Sequence, residues 1–297
     1  MPDKDGYMKT STSRYVRNLL ERHDVKIKKK FGQNYLIDDH ILQKVADVSD
    51  IDDHTLVVEV GPGLGNLTRY LLEKSAHVLA YEIDDSLVDI LHQAFPNTEN
   101  LTLIHDDVLK RSLDEDIQTL SIDFDKVIVV ANLPYYISTP FIMKGLETSS
   151  LIDRYVLMLQ LEVARRLTAS KDTKDYNALS VLIHQMTYAQ FCFTLSEHVF
   201  IPKPKVKSAV ITLDVKRENV SRETSLRTDF VKSAFKQRRK TLINNLHQAY
   251  GVEKEVLAQF LDSFGFDRNI RAENISPEEY QELADEFFQN IYVSRET

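Results

Sequence analysis

Residues 57–68 read VVEVGPGLGNLT, and the reading of this stretch decides the fold. A run of β-formers ends at glycines 61, 63 and 65, and a helical pattern, NLTRYLLEK, begins at once. Glycine takes up positive φ without a steric penalty and lets the backbone pass close to a ligand. Helix amides behind such a turn favour polar or anionic groups. The spacing is Gly-x-Gly-x-Gly, not the Gly-x-Gly-x-x-Gly of dinucleotide enzymes, and Pro62 stiffens the turn.

Outward from this turn the same alternation repeats. HVLAYEID reads as a second strand followed by the helix SLVDILHQAF, and LTLIHDD as a third strand. FDKVIVVAN is a fourth, followed by the helix STPFIMKGLETS. RYVLMLQ is a fifth, followed by LEVARRLTA. The nearly continuous apolar runs suit strands covered on both faces. Alternating strands and helices of this length imply right-handed βαβ units and a parallel sheet. AQFCFTL and VKSAVITLDV have no helix between them and are expected to pair as an antiparallel hairpin, joined by the proline-stiffened FIPKPKVK.

Upstream lie a short helix over 14–22, a basic run at 26–30, FGQNYLID and a second helix over 40–47. Around 216–224 the sequence turns polar, which places a domain boundary there. Beyond it DFVKSAFKQ, RKTLINNLHQAY, EKEVLAQFLDSF and SPEEYQELADEFF are helical by period. In the last of these Ser276, Pro277 and Glu279 form the pattern of a capping box. The expected organisation is an N-terminal helical extension over 1–25, an α/β domain over 26–217 and an all-helical domain over 218–297.

A chain of 297 residues, 43% of them hydrophobic, is long enough for one large domain and a smaller one. No apolar run approaches a membrane span, and the first twenty residues lack the apolar segment of a secretory signal. The single cysteine, Cys192, excludes an internal disulfide and a cysteine metal cluster. The nine histidines show no paired spacing. A cytoplasmic, metal-free monomer is the expectation. The net charge of −8 argues against a polyanionic partner until its distribution is read. Residues 1–30 carry nine Lys/Arg against four Asp/Glu, residues 230–247 carry five bases and no acid, and from 251 onward four bases face eleven acids. A polyanion responds to local potential, because salt screens charge beyond about 8 Å. Two basic segments can therefore meet phosphate while the acidic end faces water.

Polar side chains recur at the strand mouths. Glu82 ends the second strand, where a carboxylate can accept both hydroxyls of an adenosine ribose. Asp107 follows the third strand and is placed to accept from the exocyclic amine of a cofactor adenine, with Asp106 an ordinary surface acid beside it. Asn132 ends the fourth strand, and 25 residues separate Asp107 from each of Glu82 and Asn132. That regularity puts three polar groups along one binding edge. The glycine turn and Glu82 indicate an adenosyl ligand and leave nicotinamide, flavin and S-adenosylmethionine (SAM) open. Nicotinamide chemistry then fails on the glycine spacing and on the lack of a catalytic His or a Tyr-x-x-x-Lys arrangement.

NLPYYIS, from Asn132, supplies the second half of a site. The Asn132 side-chain oxygen and the Pro134 carbonyl can each accept an N–H from an aromatic amine such as adenine N6. Proline restricts its neighbour and so fixes where that carbonyl points. Tyr135 can stack on an unpaired base.

FGQNYL, EVGPGLGNLT, YEID, NLPYYIS, FIPKPKVKSAV and FKQRRKTLINNL occur together in this order and spacing. The chain thereby resembles the ribosomal RNA adenine N6,N6-dimethyltransferases, specifically their bacterial small-subunit (16S) branch. The resemblance covers roughly residues 26–290. It implies a SAM-dependent methyltransferase fold, Rossmann-like α/β, whose seven-stranded, mostly parallel sheet carries an antiparallel C-terminal hairpin beside a small all-helical C-terminal domain. It implies SAM as cofactor and dimethylation of two adjacent adenosines in the 3′-terminal hairpin loop of 16S RNA, with the immature small ribosomal subunit as partner. It further implies that Asn34 and Leu36 join Gly61, Gly63, Glu82, Asp107 and Asn132 around the cofactor, and that Phe200 sandwiches the target base against Tyr135. Arg238, Arg239 and Lys240 would dock RNA, and Lys203 and Lys205 would add charge beside the base pocket. Two alternatives stand beside this: a dimethylase of 23S RNA of the antibiotic-resistance type, and an RNA-binding assembly factor whose methylation is secondary.

Overall fold

The computed structural model describes residues 13–22, 33–134, 136–216 and 222–292. The basic run at 26–30 and Tyr135 lie outside the described residues. The chain begins with α1 (Ser13–Arg22), β1 (Tyr35–Leu36) and α2 (Asp39–Val48). Strands and helices then alternate: β2 (Thr55–Val60), α3 (Thr68–Leu72), β3 (His77–Glu82), α4 (Asp85–Ala94), β4 (Leu101–His105), α5 (Leu113–Gln118), β5 (Lys126–Asn132), α6 (Ser138–Thr148) and β6 (Ile152–Gln160). Next come α7 (Leu161–Leu167), α8 (Ala178–Met186), β7 (Thr187–Leu195), β8 (Phe200–Ile201) and β9 (Ser208–Val215). The helices α9 (Arg222–Ala234), α10 (Leu242–Tyr250), α11 (Lys254–Ser263) and α12 (Pro277–Glu286) complete the order.

Seven strands form one sheet in the order β4-β3-β2-β5-β6-β9-β7. The pairs from β4 to β6 are parallel, and β6 meets β9 antiparallel. Every residue of β2 and β3 is buried, as expected for strands shielded on both faces. Sequence order runs one way from β2 to β4 and the other way from β5 to β6. The reversal between β2 and β5 opens a crevice at their carboxyl ends. Val60 is in register with both Tyr81 and Ala131, so Gly61, Glu82 and Asn132 emerge side by side at this crevice.

β7 and β9 are neighbours at one end of the sheet, but the link between them does more than turn. Its β8 pairs antiparallel with β1, Tyr35 opposite Ile201 and Leu36 opposite Phe200, and the Ile37 N–H donates to the Val199 carbonyl at 2.9 Å. Two-residue strands carry no readable period, so the sequence does not announce this small sheet. It carries the FGQNYL segment to the FIPKPK segment. α1 buries Val16, Leu19 and Leu20 against Tyr35, Leu64, Leu87 and Ile90, which backs the glycine turn with an apolar wall.

By packing, the chain divides into two compact units, Met1–Ala164 with Gln190–Val215, and Arg165–Ala189 with Lys216–Thr297. The segment carrying α8, assigned by sequence to the α/β domain, thus packs with the C-terminal helices. The reason is visible in its side chains. The Tyr176 hydroxyl donates to the Ile275 carbonyl at 2.8 Å, and its ring meets Phe235 edge-on with centroids 6.1 Å apart. At the start of α12 the capping box is formed: Ser276 Oγ accepts from the Glu279 N–H at 3.2 Å, and Glu279 Oε2 accepts from the Ser276 N–H at 2.6 Å.

Candidate active site

The glycine turn is built as its composition demands. Gly61, Gly63 and Gly65 have φ of 71°, 63° and 77°, the region that L side chains avoid. A Cβ on Gly65 would lie 2.4 Å from Phe95, and one on Gly63 would lie 3.2 Å from the Tyr35 ring. A Cβ on Gly61 would meet nothing within 4 Å, because this glycine faces the cleft. Gly63, Glu82, Asp107, Asn132 and Pro134 line the same cleft, and β1 and β8 bring Asn34, Leu36 and Phe200 to it. The structure thus gathers every sequence-predicted cofactor residue around one cavity.

Glu82 is almost fully buried. Its Oε2 accepts from the Gly63 N–H at 3.1 Å, and Oε1 accepts from the Ile83 and Asp84 N–H groups, both at 2.9 Å. Burial holds this carboxyl above its ordinary pKa, against the pull of the Asp84, Gly63 and Ile83 amides. A carboxylate offers about four acceptor positions, so three backbone bonds leave little capacity. Asp107 caps a short 3-10 turn, its Oδ1 accepting from the Leu109 N–H at 3.0 Å. Asp106 accepts from the Asp107 N–H at 2.7 Å and faces Arg111 at 3.6 Å. Asp106 is thus occupied in holding the turn that presents Asp107.

At the next strand mouth, Asn132 Nδ2 donates to the Asn34 carbonyl at 2.9 Å. That bond anchors the amide by its nitrogen and leaves Oδ1 as the acceptor available to a ligand. The Pro134 carbonyl accepts the Ile137 N–H at 3.2 Å, which uses one of its two lone pairs and fixes its direction. Phe200 lines the cleft but is 3% exposed and belongs to the core cluster, so most of its ring is committed to packing.

Two further residues, Glu59 and Asn66, line the cleft without having been singled out in the sequence. Glu59 Oε2 and Asn66 Oδ1 are buried and have no hydrogen-bond partner among the described residues, while Asn66 Nδ2 donates to the Leu36 carbonyl at 2.6 Å. Burial pushes the Glu59 carboxyl up to about 8. The nearby Thr68 hydroxyl opposes the rise, although the two side chains form no hydrogen bond of normal geometry, and the Glu82 charge adds to it. Buried acceptors without donors are rare in folded proteins and call for an explanation. A ligand bringing N–H donors and positive charge supplies one. The available signal was Glu59 itself, a lone acid inside an otherwise apolar strand.

The predicted basic residues divide by their partners. Lys203 lies 3.5 Å from Glu197, whereas Lys205 is exposed. In the second unit Arg238, Arg239 and Lys240 are all exposed in the turn before α10, and Arg238 bonds Glu273 at 2.9 Å and the Lys174 carbonyl at 2.8 Å. Among the described residues no group of three His, Cys, Asp or Glu side chains is placed to hold a metal ion, and no helix is long and apolar enough to cross a membrane.

A glycine turn at the switch point of a seven-stranded sheet with a reversed strand near one end defines a SAM-dependent methyltransferase. Within that class the chain belongs to the ribosomal RNA adenine dimethylase family, whose model matches residues 24–289. It is 42% identical over 274 residues to ribosomal RNA small subunit methyltransferase A of Lactococcus lactis, covering 91% of this chain and 93% of that one. It is 40% identical over 281 residues to the protein of the same name from Streptococcus pneumoniae strain P1031, covering 91% and 95%. Among solved structures, a dimethyladenosine transferase from Plasmodium falciparum superposes with a TM-score of 0.71 at 24% identity, covering 85% of this chain and 96% of that one. The 23S rRNA methyltransferase ErmE superposes with a TM-score of 0.66 at 23% identity, covering 86% and 100%. These two likenesses speak for the fold.

The residues present fit SAM. The Gly61 face of the turn is open, and the unpartnered Glu59 and Asn66 oxygens suit a cationic group with N–H donors.

Proposed function

We propose that this chain dimethylates N6 of two adjacent adenosines in the 3′-terminal hairpin loop of small-subunit ribosomal RNA, acting as a cytoplasmic monomer on the immature subunit. The observation that carries the reading is the Asn34–Asn132 hydrogen bond at 2.9 Å, which engages the nitrogen of a cleft-lining amide and keeps its oxygen for a ligand. Two relatives covering nine-tenths of the chain carry the name small subunit methyltransferase A, which supports the small subunit as the substrate.

When bound, SAM supplies a methyl group already activated on a sulfonium. The protein's task is to make adenine N6 a nucleophile and hold it in line. That nitrogen is a weak nucleophile, because its lone pair is delocalised into the ring. Asn132 Oδ1 and the Pro134 carbonyl each accept one N6–H and draw the nitrogen toward tetrahedral geometry. Each methylation would release one proton from N6, which passes to solvent. Glu82 and Asp107 would hold the cofactor's adenosine with Asn34 and Leu36 beside it, while Tyr135 stacks on the target base and Phe200 meets it with the small part of its ring that is not packed in the core. Fixing both reactants in line supplies much of the acceleration. Lys203, Lys205, Arg239 and Lys240 neutralise RNA phosphate.

Unmethylated small and large subunits incubated with methyl-labelled SAM test the assignment. Label in 16S RNA, as dimethyladenosine at adjacent positions, is the expected result. Label confined to 23S RNA would overturn the choice of substrate.

A further inference from the structure

Seven large hydrophobic side chains are conspicuously exposed among the described residues, and two of them, Ile83 and Tyr136, line the cleft. Neither belongs to the glycine turn or to the acceptor pair at Asn132 and Pro134. Tyr136 is 54% exposed and makes no hydrogen bond or ring contact among the described residues. An aromatic ring left half in water at the mouth of a cavity has apolar area to gain from a flat ligand.

Burial first, then the charges of Asp107 and Glu82, hold the Tyr136 phenol above its ordinary pKa. Tyr136 lines the same cleft as these two carboxylates. Ile83 is 38% exposed and directly follows Glu82. Among the described residues, these two are the exposed large hydrophobic side chains that line the cleft.

We propose that Tyr136 forms the outer wall of the adenosyl pocket, its ring laid on one face of the cofactor's purine with Ile83 on the other. The inference rests on the reading of the cleft as the SAM site. It assigns the two consecutive tyrosines of NLPYYIS to different ligands, Tyr135 to the target base and Tyr136 to the cofactor.

The chain has no tryptophan, so Tyr136→Trp installs a single fluorescent reporter at a half-exposed position. Titration with S-adenosylhomocysteine, without RNA, is expected to change its emission saturably. By calorimetry, Tyr136→Ala is expected to weaken S-adenosylhomocysteine binding about tenfold, the scale of a lost base–aromatic stack. Tyr136→Phe keeps the ring and should stay within about twofold of wild type. RNA affinity should be unchanged in all three variants. An emission change only on adding hairpin RNA, together with wild-type cofactor affinity in Tyr136→Ala, would overturn the proposal and assign the ring to the nucleic acid. Wild-type protein and Glu82→Ala separate the two levels. If wild type binds no S-adenosylhomocysteine, the reading of the cleft fails. If wild type binds it, Glu82→Ala loses it and the Tyr136 variants match wild type, only the Tyr136 assignment falls.

Discussion

The side-chain nitrogen of Asn132 is held by the main-chain carbonyl of Asn34 at 2.9 Å, across 98 residues of sequence. One consequence is chemical, since the amide oxygen is left to accept from a substrate N–H. The other is architectural. The segment before β1 and the carboxyl end of β5 are joined by this bond, with β1–β8 pairing behind it.

Asn132→Ala removes the acceptor. Loss of one preorganised donor or acceptor at a reacting centre typically costs about 10²–10³ in rate, and that is the expected fall in single-turnover methylation. Loss of the hydrogen bond to the Asn34 carbonyl is expected to cost about 1 kcal/mol in denaturant unfolding, far less than the effect on rate. Asn132→Asp keeps an acceptor but loses the N–H donated to Asn34, and is expected to be impaired as well.

Glu59 makes stability depend on pH in a defined window. Its carboxyl rises from 4.5 to about 8 on folding, so between these values the folded state keeps a proton that the unfolded chain releases. Folded protein then binds more protons, and stability falls as pH rises from about 4.5 through about 8. Its contribution is fully present below 4.5 and lost above 8. At 1.36 kcal/mol per pKa unit the effect is on the order of a few kcal/mol. Urea unfolding of wild type and Glu59→Gln across this range checks it: the difference between the two curves should slope in the window and be flat outside it.

The glycines of the turn should separate folding from binding. Gly65→Ala drives a methyl toward Phe95 at 2.4 Å and strains a φ of 77°, and is expected to cost about 2–4 kcal/mol in denaturant unfolding. Gly61→Ala meets no neighbour, so backbone strain of about 1–2 kcal/mol is its expected stability cost. Its methyl group faces the cleft, so S-adenosylhomocysteine affinity should fall by more than stability does.

Much of this was legible in the sequence. The strands stood out because parallel strands covered on both faces read as unbroken apolar runs, and the glycine spacing, Glu82, Asp107 and Asn132 marked the strand mouths. Other features follow from long-range packing that no local pattern encodes. β1 and β8 are too short for periodicity. Glu59 stands out in the sequence as a lone acid in a strand, but its 2% exposure and unmatched oxygen come only from the packing around it. Arg238 looked like its two neighbours until Glu273, 35 residues away, proved to be its partner.

That difference among the three bases can be measured. Arg239→Ala and Lys240→Ala, both exposed, should weaken RNA binding uniformly across sequences and each reduce the salt slope by about one. Arg238→Ala should lower the melting temperature of the chain and leave the salt slope nearly intact, since its guanidinium is engaged by Glu273 and the Lys174 carbonyl. Filter binding at several salt concentrations, with parallel thermal melts, reads both quantities.

A crystal structure of the chain soaked with SAM tests the central claim most directly. The expected result is a methyl group aimed at the space bounded by Asn132 Oδ1 and the Pro134 carbonyl, with the Asn132 nitrogen still donating to Asn34. A methyl group aimed elsewhere, or an Asn132 amide turned so that its NH2 enters the cleft, would contradict it.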